Sequence, residues 1–418
     1  MSGIYEPTGL CLMKVCFLVG SMAISGGTYV IVQHASFLRD QGYEVTLAVQ
    51  EPFTEATLAW HNEASRLRCV PVAEAKRERF DLVIATWWKT ALEIHEFDSD
   101  RYAYFVQSIE SRFYPEEEVP LRALVDATYR LPVAYITEAT WIQAHLKEHF
   151  GQGAALVKNG IRKDVYASTG ATVLERDPQQ PRILVEGHFG VRFKNTALAI
   201  RLAREAGVSD IWLLTGSSVG WIPRVARLFS RVPMTKTAEI YRSCDVLIKL
   251  STVEGMFGPP LEMFHCGGTA IVFDVTGHDE YIVNGENARV VSTGDIDGVV
   301  AAIRLLIRDR AELDRLKEGA RRTAQDWPSW PESSARFAEW VKTCLAGPMT
   351  SREACAELVA QGWADYGRDE RARQSQGRWS GLRMRLRTLA SRLPGAWPRR
   401  VKQIEAVTEV LIGERRAY

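Results

Sequence analysis

One segment limits the folds open to this chain more than any other: residues 245–268 read Asp-Val-Leu-Ile-Lys-Leu-Ser-Thr-Val-Glu-Gly-Met-Phe-Gly-Pro-Pro-Leu-Glu-Met-Phe-His-Cys-Gly-Gly. The run 245–250 is short and apolar enough for a buried strand, and 253–259 is a glycine-rich loop. A helix is predicted from Pro260, because proline suits the first helical position and Gly267-Gly268 suits the stop. A further strand is expected at 269–273. Glu254 then stands on the loop and Glu262 in the first turn of the helix. A helix start offers unpaired backbone N–H groups and a partial positive charge, so a phosphate can rest there with a carboxylate on either side.

Strand-like and helix-like stretches alternate on both sides of this segment. Residues 15–19 read as a buried strand, 29–41 have helical spacing closed by Gly42, and 44–49 read as a strand again, which makes a βαβ unit. Strands recur at 82–85, 103–106 and 134–137, then at 182–187 and 211–215 around a helix at 196–206. Two more amphipathic helices are expected at 295–307 and 310–326, and a last one at 332–345. The alternation predicts an α/β chain with a mostly parallel sheet. Gly26 and Gly27 fall at the carboxyl end of the first strand, where open α/β sheets hold ligands and glycine lets backbone approach a bound group closely. The plainer reading is an ordinary βα turn. No GxGxxG fingerprint is present, which weighs against a dinucleotide. At 104–115, Tyr-Phe-Val-Gln-Ser-Ile-Glu-Ser-Arg-Phe-Tyr-Pro ends a strand in polar groups, so Gln107 and Glu110 are expected at the same ligand edge.

Composition narrows the function classes. A chain of 418 residues is about two domains long, and a formal charge of +1 argues against a general nucleic-acid binder. The seven cysteines, at 11, 16, 69, 244, 266, 344 and 355, form no CxxC and no Cys/His pair, so neither a disulfide framework nor a zinc site is expected. That usage fits a reducing, cytoplasmic setting. The apolar run 10–24 is interrupted by Lys14 and followed by Ser25-Gly26-Gly27, and so reads as a first strand rather than a signal peptide, with 1–12 as an extension before it or a misplaced start. No other run approaches the roughly 20 apolar residues of a membrane span.

Strand, Glu254, a Gly-Met-Phe-Gly loop, Pro-Pro, Glu262, Cys-Gly-Gly, a second strand, then Gly277-His278-Asp279-Glu280 and Asn284-Gly285-Glu286-Asn287 together resemble the donor-binding signature of retaining glycosyltransferases of the GT4 type. The resemblance implies a GT-B fold, two Rossmann-like domains facing across a cleft, with 13–167 on the acceptor side and 182–330 holding a nucleotide-sugar. Residues 168–181 would be the linker and 331–346 a crossover helix, and 347–418, read as a helical basic C-terminal tail, lie beyond what the resemblance covers. It further implies that Glu262 accepts from the ribose hydroxyls, that Glu254 contacts the transferred sugar, and that Phe257, Gly258 and Leu261 belong to the donor site, with backbone N–H groups near Gly258 and Leu261 on the diphosphate. Gly26 and Gly27 would wall the same site. A leaving diphosphate gains negative charge, which calls for cations, and Lys194 in the loop 188–195 matches the family's lysine. The arginine that the family places directly after the glycine is His188 here, and Arg192 is the candidate for that role. The segment 104–115 is similar to one in WsaF-like rhamnosyltransferases. Gln107 stands where many GT4 enzymes carry a histidine; an amide can orient a sugar hydroxyl but is no base at neutral pH.

The resulting expectation is a glycosyltransferase moving a hexose or deoxyhexose, rhamnose among them, from a nucleotide-sugar to a carbohydrate or lipid-linked acceptor with retention, in cell-surface polysaccharide or glycoconjugate synthesis. No DxD-like motif stands in a suitable loop, so no metal or other cofactor is expected. Three other readings compete. Glu254 and Glu262 could be the acid and base of a glycosidase, a reading that leaves Lys194 unexplained. The chain could be an inactive donor-binding scaffold acting as a partner protein, or, least in keeping with the missing fingerprint, a nicotinamide dehydrogenase. Between 368 and 402 arginines dominate, with Trp379, Leu382, Met384, Leu386, Leu389 and Trp397 interleaved. Such a stretch suits the anionic inner face of a membrane, which would make the protein peripheral there, or a protein partner. A surface helix packed on the enzyme or a disordered tail is the bland alternative, and no nucleic-acid-binding module is recognisable.

Overall fold

A computed structural model describes residues 12–376 and 397–413. Two parallel sheets form the core of two bodies. In the first, seven strands run in the order Arg68–Pro71, Glu44–Val49, Lys14–Val19, Leu82–Ala85, Tyr102–Val106, Ala134–Thr137, Ala154–Leu156. In the second, six run in the order Arg227–Ser230, Ile211–Thr215, Ile183–Glu186, Val246–Lys249, Thr269–Phe273, Arg289–Val291. The central strands are apolar throughout and buried on both faces, as helices on either side of a parallel sheet demand. Among the strands unforeseen in the sequence, Arg68–Pro71, Ala154–Leu156, Arg227–Ser230 and Arg289–Val291 are short edge strands of three or four residues, only partly buried, and so lack the long apolar signal of the central strands.

Strand order fixes where ligands can go. Each sheet reverses direction of growth beside its first strand, at Lys14–Val19 against Leu82–Ala85 and at Ile183–Glu186 against Val246–Lys249. Crevices open at the carboxyl ends of strands flanking such a reversal. In the first body the crevice receives the start of helix Gly26–Asp40, whose N-cap Ser25 accepts from the Thr28 amide at 3.1 Å. This cap starts the helix three residues before the apolar period does, so Gly26 and Gly27 are its first residues rather than a preceding loop. In the second body Val185 pairs with Ile248, which brings the next residues of the two strands, Glu186 and Lys249, to the crevice together.

The last helices return to both bodies. Trp330–Ala346 crosses to the first, where Trp330, Phe337 and Val341 bury with Val15, Phe17 and Val30. Helix Arg352–Gln376 stays there, with Cys355 and Val359 packed among Leu124, Val125 and Tyr129. Helix Trp397–Ile412 instead lies on the second body, with Ala406 and Val410 in its core. The described parts of the tail are therefore packed helices, and Arg373 is spent on Glu118 and Glu370 at 2.9 and 3.1 Å. Most of the basic stretch singled out in the sequence, 377–396, lies outside the described residues, as do residues 1–11. Among the described residues no helix is long and apolar enough to cross a membrane.

Candidate active site

A cleft of about 720 Å³ opens between the two crevices, lined by both bodies. From the second body come Glu186, His188, Lys194, Lys249, Glu254, Gly258, Leu261 and Glu262; from the first come Gly26, Gly27, Gln107, Glu110 and Glu138. Glu254 and Glu262 thus reach one cavity from a loop and from a helix. That helix runs Gly258–His265 and begins two residues earlier than the prolines indicated, so Glu262 sits a turn in rather than at the start.

Charge is concentrated on the second body's wall. Lys194 Nζ holds both oxygens of Glu254 at 2.7 and 2.8 Å. Lys249 bonds Glu186 and stands 3.6 Å from Glu254. Burial works against the charge of Glu254, but the two lysines outweigh it and hold its pKa below the ordinary carboxylate value. Lys249, whose own burial is outweighed by Glu186 and Glu254, has its pKa raised and stays an ammonium. Burial pushes Glu262 the other way, up to about 7, although the hydroxyls of Tyr241 and Tyr166 lie beside it. The two carboxyls of the sequence pair therefore differ in kind: one ionised and paired, one poised near neutrality.

The start of the Gly258–His265 helix is poorer in donors than expected. Of the amides that open a helix, those of Pro259 and Pro260 carry no hydrogen, and that of Gly258 donates to the Met256 carbonyl at 3.0 Å. The Leu261 amide faces the buried Tyr281 hydroxyl. The nearest positive charge on this wall is Lys194, with the more deeply buried Lys249 behind it. Phe257 is fully buried and lies outside the cleft lining, its carbonyl taken by the Tyr281 hydroxyl. Arg192 is likewise not brought to the cleft. It is exposed on the turn Arg192–Lys194, facing Glu409 of the last helix.

On the opposite wall, Gln107 Oε1 is buried without a hydrogen-bond partner among the described residues, and a Cβ on Gly27 would sit 3.3 Å from it. Glu110 is no freely orienting group: Oε2 accepts from the Trp88 amide at 2.7 Å and the Tyr104 hydroxyl at 3.1 Å, and burial raises its pKa to about 8. The folded state binds that proton more tightly than the unfolded chain. The stability it contributes is whole below about pH 4.5, its ordinary value, and fades as pH rises through about 8. Thermal melts should accordingly show stability falling by roughly a few kcal/mol from about pH 5 to about pH 8. Glu110→Gln, which keeps the shape without the proton, should flatten that slope; an unchanged slope would exclude Glu110 as its source.

The walls are also joined to each other. Glu138 accepts from the Met256 amide at 3.0 Å and from Asn159 Nδ2 at 2.8 Å, Trp141 Nε1 donates to the Gly255 carbonyl at 3.0 Å, and Lys158 pairs with Glu280 at 2.8 Å. Phe113 stacks on Phe193 with ring centres 5.4 Å apart. Glu138, Glu186 and Lys249 escaped the sequence reading, yet each left a trace: two acids at strand ends, and a lysine inside an apolar strand. Among the described residues, no group of three or more His, Cys, Asp and Glu is placed to hold a metal ion.

Comparison with known proteins agrees with this geometry. Residues 223–323, which include Glu254 and Glu262 but not Lys194, match the family described as Glycosyl transferases group 1. A curated relative, the O-antigen biosynthesis protein RfbC of Myxococcus xanthus, is 25% identical over 253 residues, covering 57% of this chain but only 19% of that protein. Among solved structures, Anabaena HepE in complex with UDP-glucose superposes with a TM-score of 0.64 at 14% identity, covering 79% of this chain and 100% of that one. The sucrose-phosphate synthase of Thermosynechococcus elongatus gives 0.62 at 15% identity, over 80% and 99%. WaaG, a glycosyltransferase involved in lipopolysaccharide biosynthesis, gives 0.61 at 12%, over 79% and 99%. The fold is GT-B.

Proposed function

We propose, from the match of residues 223–323 to the group 1 glycosyl transferases and from the GT-B fold, that this protein transfers a sugar from a nucleotide-sugar to a carbohydrate or lipid-linked acceptor, with retention at the anomeric carbon. The observation that carries the reading is Glu254 and Glu262 in one interdomain cleft, with Lys194 and Lys249 beside Glu254 at 2.7 and 3.6 Å. Lys194, backed by the charge of Lys249, can neutralise a departing diphosphate, and an ionised Glu254 can steady positive charge at the sugar carbon. Glu262, protonated or ionised near neutrality, has the chemistry to bond ribose hydroxyls. The unpartnered Gln107 amide oxygen suits a sugar hydroxyl from the other wall. Likeness to an O-antigen biosynthesis protein and to a lipopolysaccharide glycosyltransferase supports a place in cell-surface polysaccharide assembly. The segment 104–115 favours a deoxyhexose such as rhamnose.

A thermal-shift panel of nucleotide-sugars, with UDP and UDP-glucose included, tests the site. A donor should raise the melting temperature of the wild type, equivalent to about 2.7 kcal/mol at a hundredfold excess over Kd, and should lose most of that effect on Glu262→Ala. Equal shifts in both proteins would remove Glu262 from the donor site. Turnover is proposed to be metal-independent, with lysines in the ion's place; activity lost in EDTA and restored by Mn²⁺ or Mg²⁺ would refute that. The second reading, a donor-binding scaffold without turnover, draws on His188, whose burial lowers its pKa and leaves it neutral in the cleft. Binding by calorimetry with no nucleoside diphosphate released in the presence of acceptor extract would favour it.

A further inference from the structure

We propose that Lys249 is a positioning residue that keeps Glu254 ionised and directed into the cleft after a diphosphate has drawn Lys194 away. The proposal deepens the donor-site reading and rests on it. Lys194 has two duties that conflict. It grips both oxygens of Glu254 in the free protein, and it is the cation on the loop best placed to meet a phosphate. An ammonium that turns to a diphosphate leaves its carboxylate behind, and Glu254 has only 10% of its side chain exposed. A carboxylate abandoned in such surroundings takes up a proton and then has no charge with which to steady a sugar cation.

Lys249 is built to prevent this. It rises from the strand Val246–Lys249 with 3% of its side chain exposed, anchored by Glu186 on the neighbouring strand. It stands 3.6 Å from Glu254 Oε1, near enough for charge to act but beyond a good hydrogen bond. Because it is held by the sheet rather than by the loop, it stays when Lys194 moves. The other groups facing Glu254 cannot replace it. Tyr281 is a buried neutral phenol, Glu138 on the first body is a carboxyl, and Ser251 carries no charge. His188, nearby on the loop, is neutral. A buried ion pair adds little to stability compared with apolar residues of the same volume, so stability alone does not account for a lysine in this strand. The pairing also explains why the charges come as two acids and two bases: the set is balanced before the donor arrives, and Lys249 remains between two carboxylates afterwards.

The test is a carboxyl ¹³C NMR titration of Glu254, its signal assigned by loss in Glu254→Gln. Lys194→Met mimics the departure of Lys194 without any nucleotide. In that variant the Glu254 midpoint should stay in the acid range. Adding Lys249→Met together with Glu186→Gln, which removes the anchor pair without stranding a charge, should raise the midpoint by about 1–3 pH units. Lys249→Arg in the Lys194→Met background should keep it low. A midpoint unmoved by loss of the Lys249 pair would overturn the proposal, as would failure of arginine to substitute. Saturating UDP should reproduce the rise in the Lys249→Met/Glu186→Gln protein with Lys194 intact. If UDP does not bind the wild type, the UDP-donor reading falls while the nucleotide-free titration still decides the role of Lys249.

Discussion

Glu254→Gln should lower turnover about 10²–10³-fold, the usual cost of removing one group that stabilises transition-state charge, while UDP binds at least as tightly as to the wild type. The two effects have opposite signs for one reason. Glutamine keeps the shape of the side chain but leaves Lys194 and Lys249 facing Glu186 alone, so the cleft becomes more positive and better suited to a diphosphate. Burial already holds the pKa of Lys194 below the ordinary lysine value against the pull of Glu254, and an incoming diphosphate replaces that carboxylate as its counter-charge. The measurements are nucleoside diphosphate release with the donor named by the thermal-shift panel and an acceptor extract, and UDP affinity by calorimetry. Turnover within a few fold of the wild type would take Glu254 out of the reaction, and weaker UDP binding would show that the lysines do not face the diphosphate. A glycosidase using the same carboxylates would need no nucleotide and would show no such opposition.

Gly255→Val should separate the two bodies. A Cβ on Gly255 would fall on the Gln107 carbonyl, far inside contact distance, and 3.2 Å from Glu138 Oε1. Backbone cannot yield as a flexible side chain would. The loop must therefore withdraw, taking with it the Met256 amide from Glu138 and the Gly255 carbonyl from Trp141. Overpacking of this kind costs about 1–3 kcal/mol, and here its relief is an open cleft. Small-angle scattering should show a larger radius of gyration, the melting temperature should fall, and turnover should drop with Glu254 and Lys194 both intact. An unchanged radius and melting temperature would mean that the walls are not held together at this loop. Gly277, with φ of 86°, is constrained at the same place, since a side chain there would press on the Gly255 carbonyl.

The described parts of the tail pack on the protein in a way that local spacing did not announce. The helices Arg352–Gln376 and Trp397–Ile412, on either side of the arginine-rich segment 377–396 that lies outside the described residues, bury Val359 and Val410 in two separate cores. Burial by a distant part of the chain leaves no mark on local spacing.

What the sequence determined alone is what depends on neighbours along the chain: the α/β alternation, the strands Glu44–Val49, Leu82–Ala85 and Thr269–Phe273, and the approach of Glu254 and Glu262 around one loop. Apolar run length and proline and glycine punctuation are local quantities, so they can be read locally. Tertiary structure alone decided which charges meet. Lys249 finds Glu186 because parallel register sets two strand ends side by side across a gap of about sixty residues, and Glu138 finds Met256 because two bodies close on each other. It also turned Arg192 and Phe257 away from the cleft and, by starting the helix at Gly258, set two prolines where amide donors were expected to serve. Electrostatic partnership in a low-dielectric cleft is set by distances in space, and the spacing of residues along a chain does not encode those.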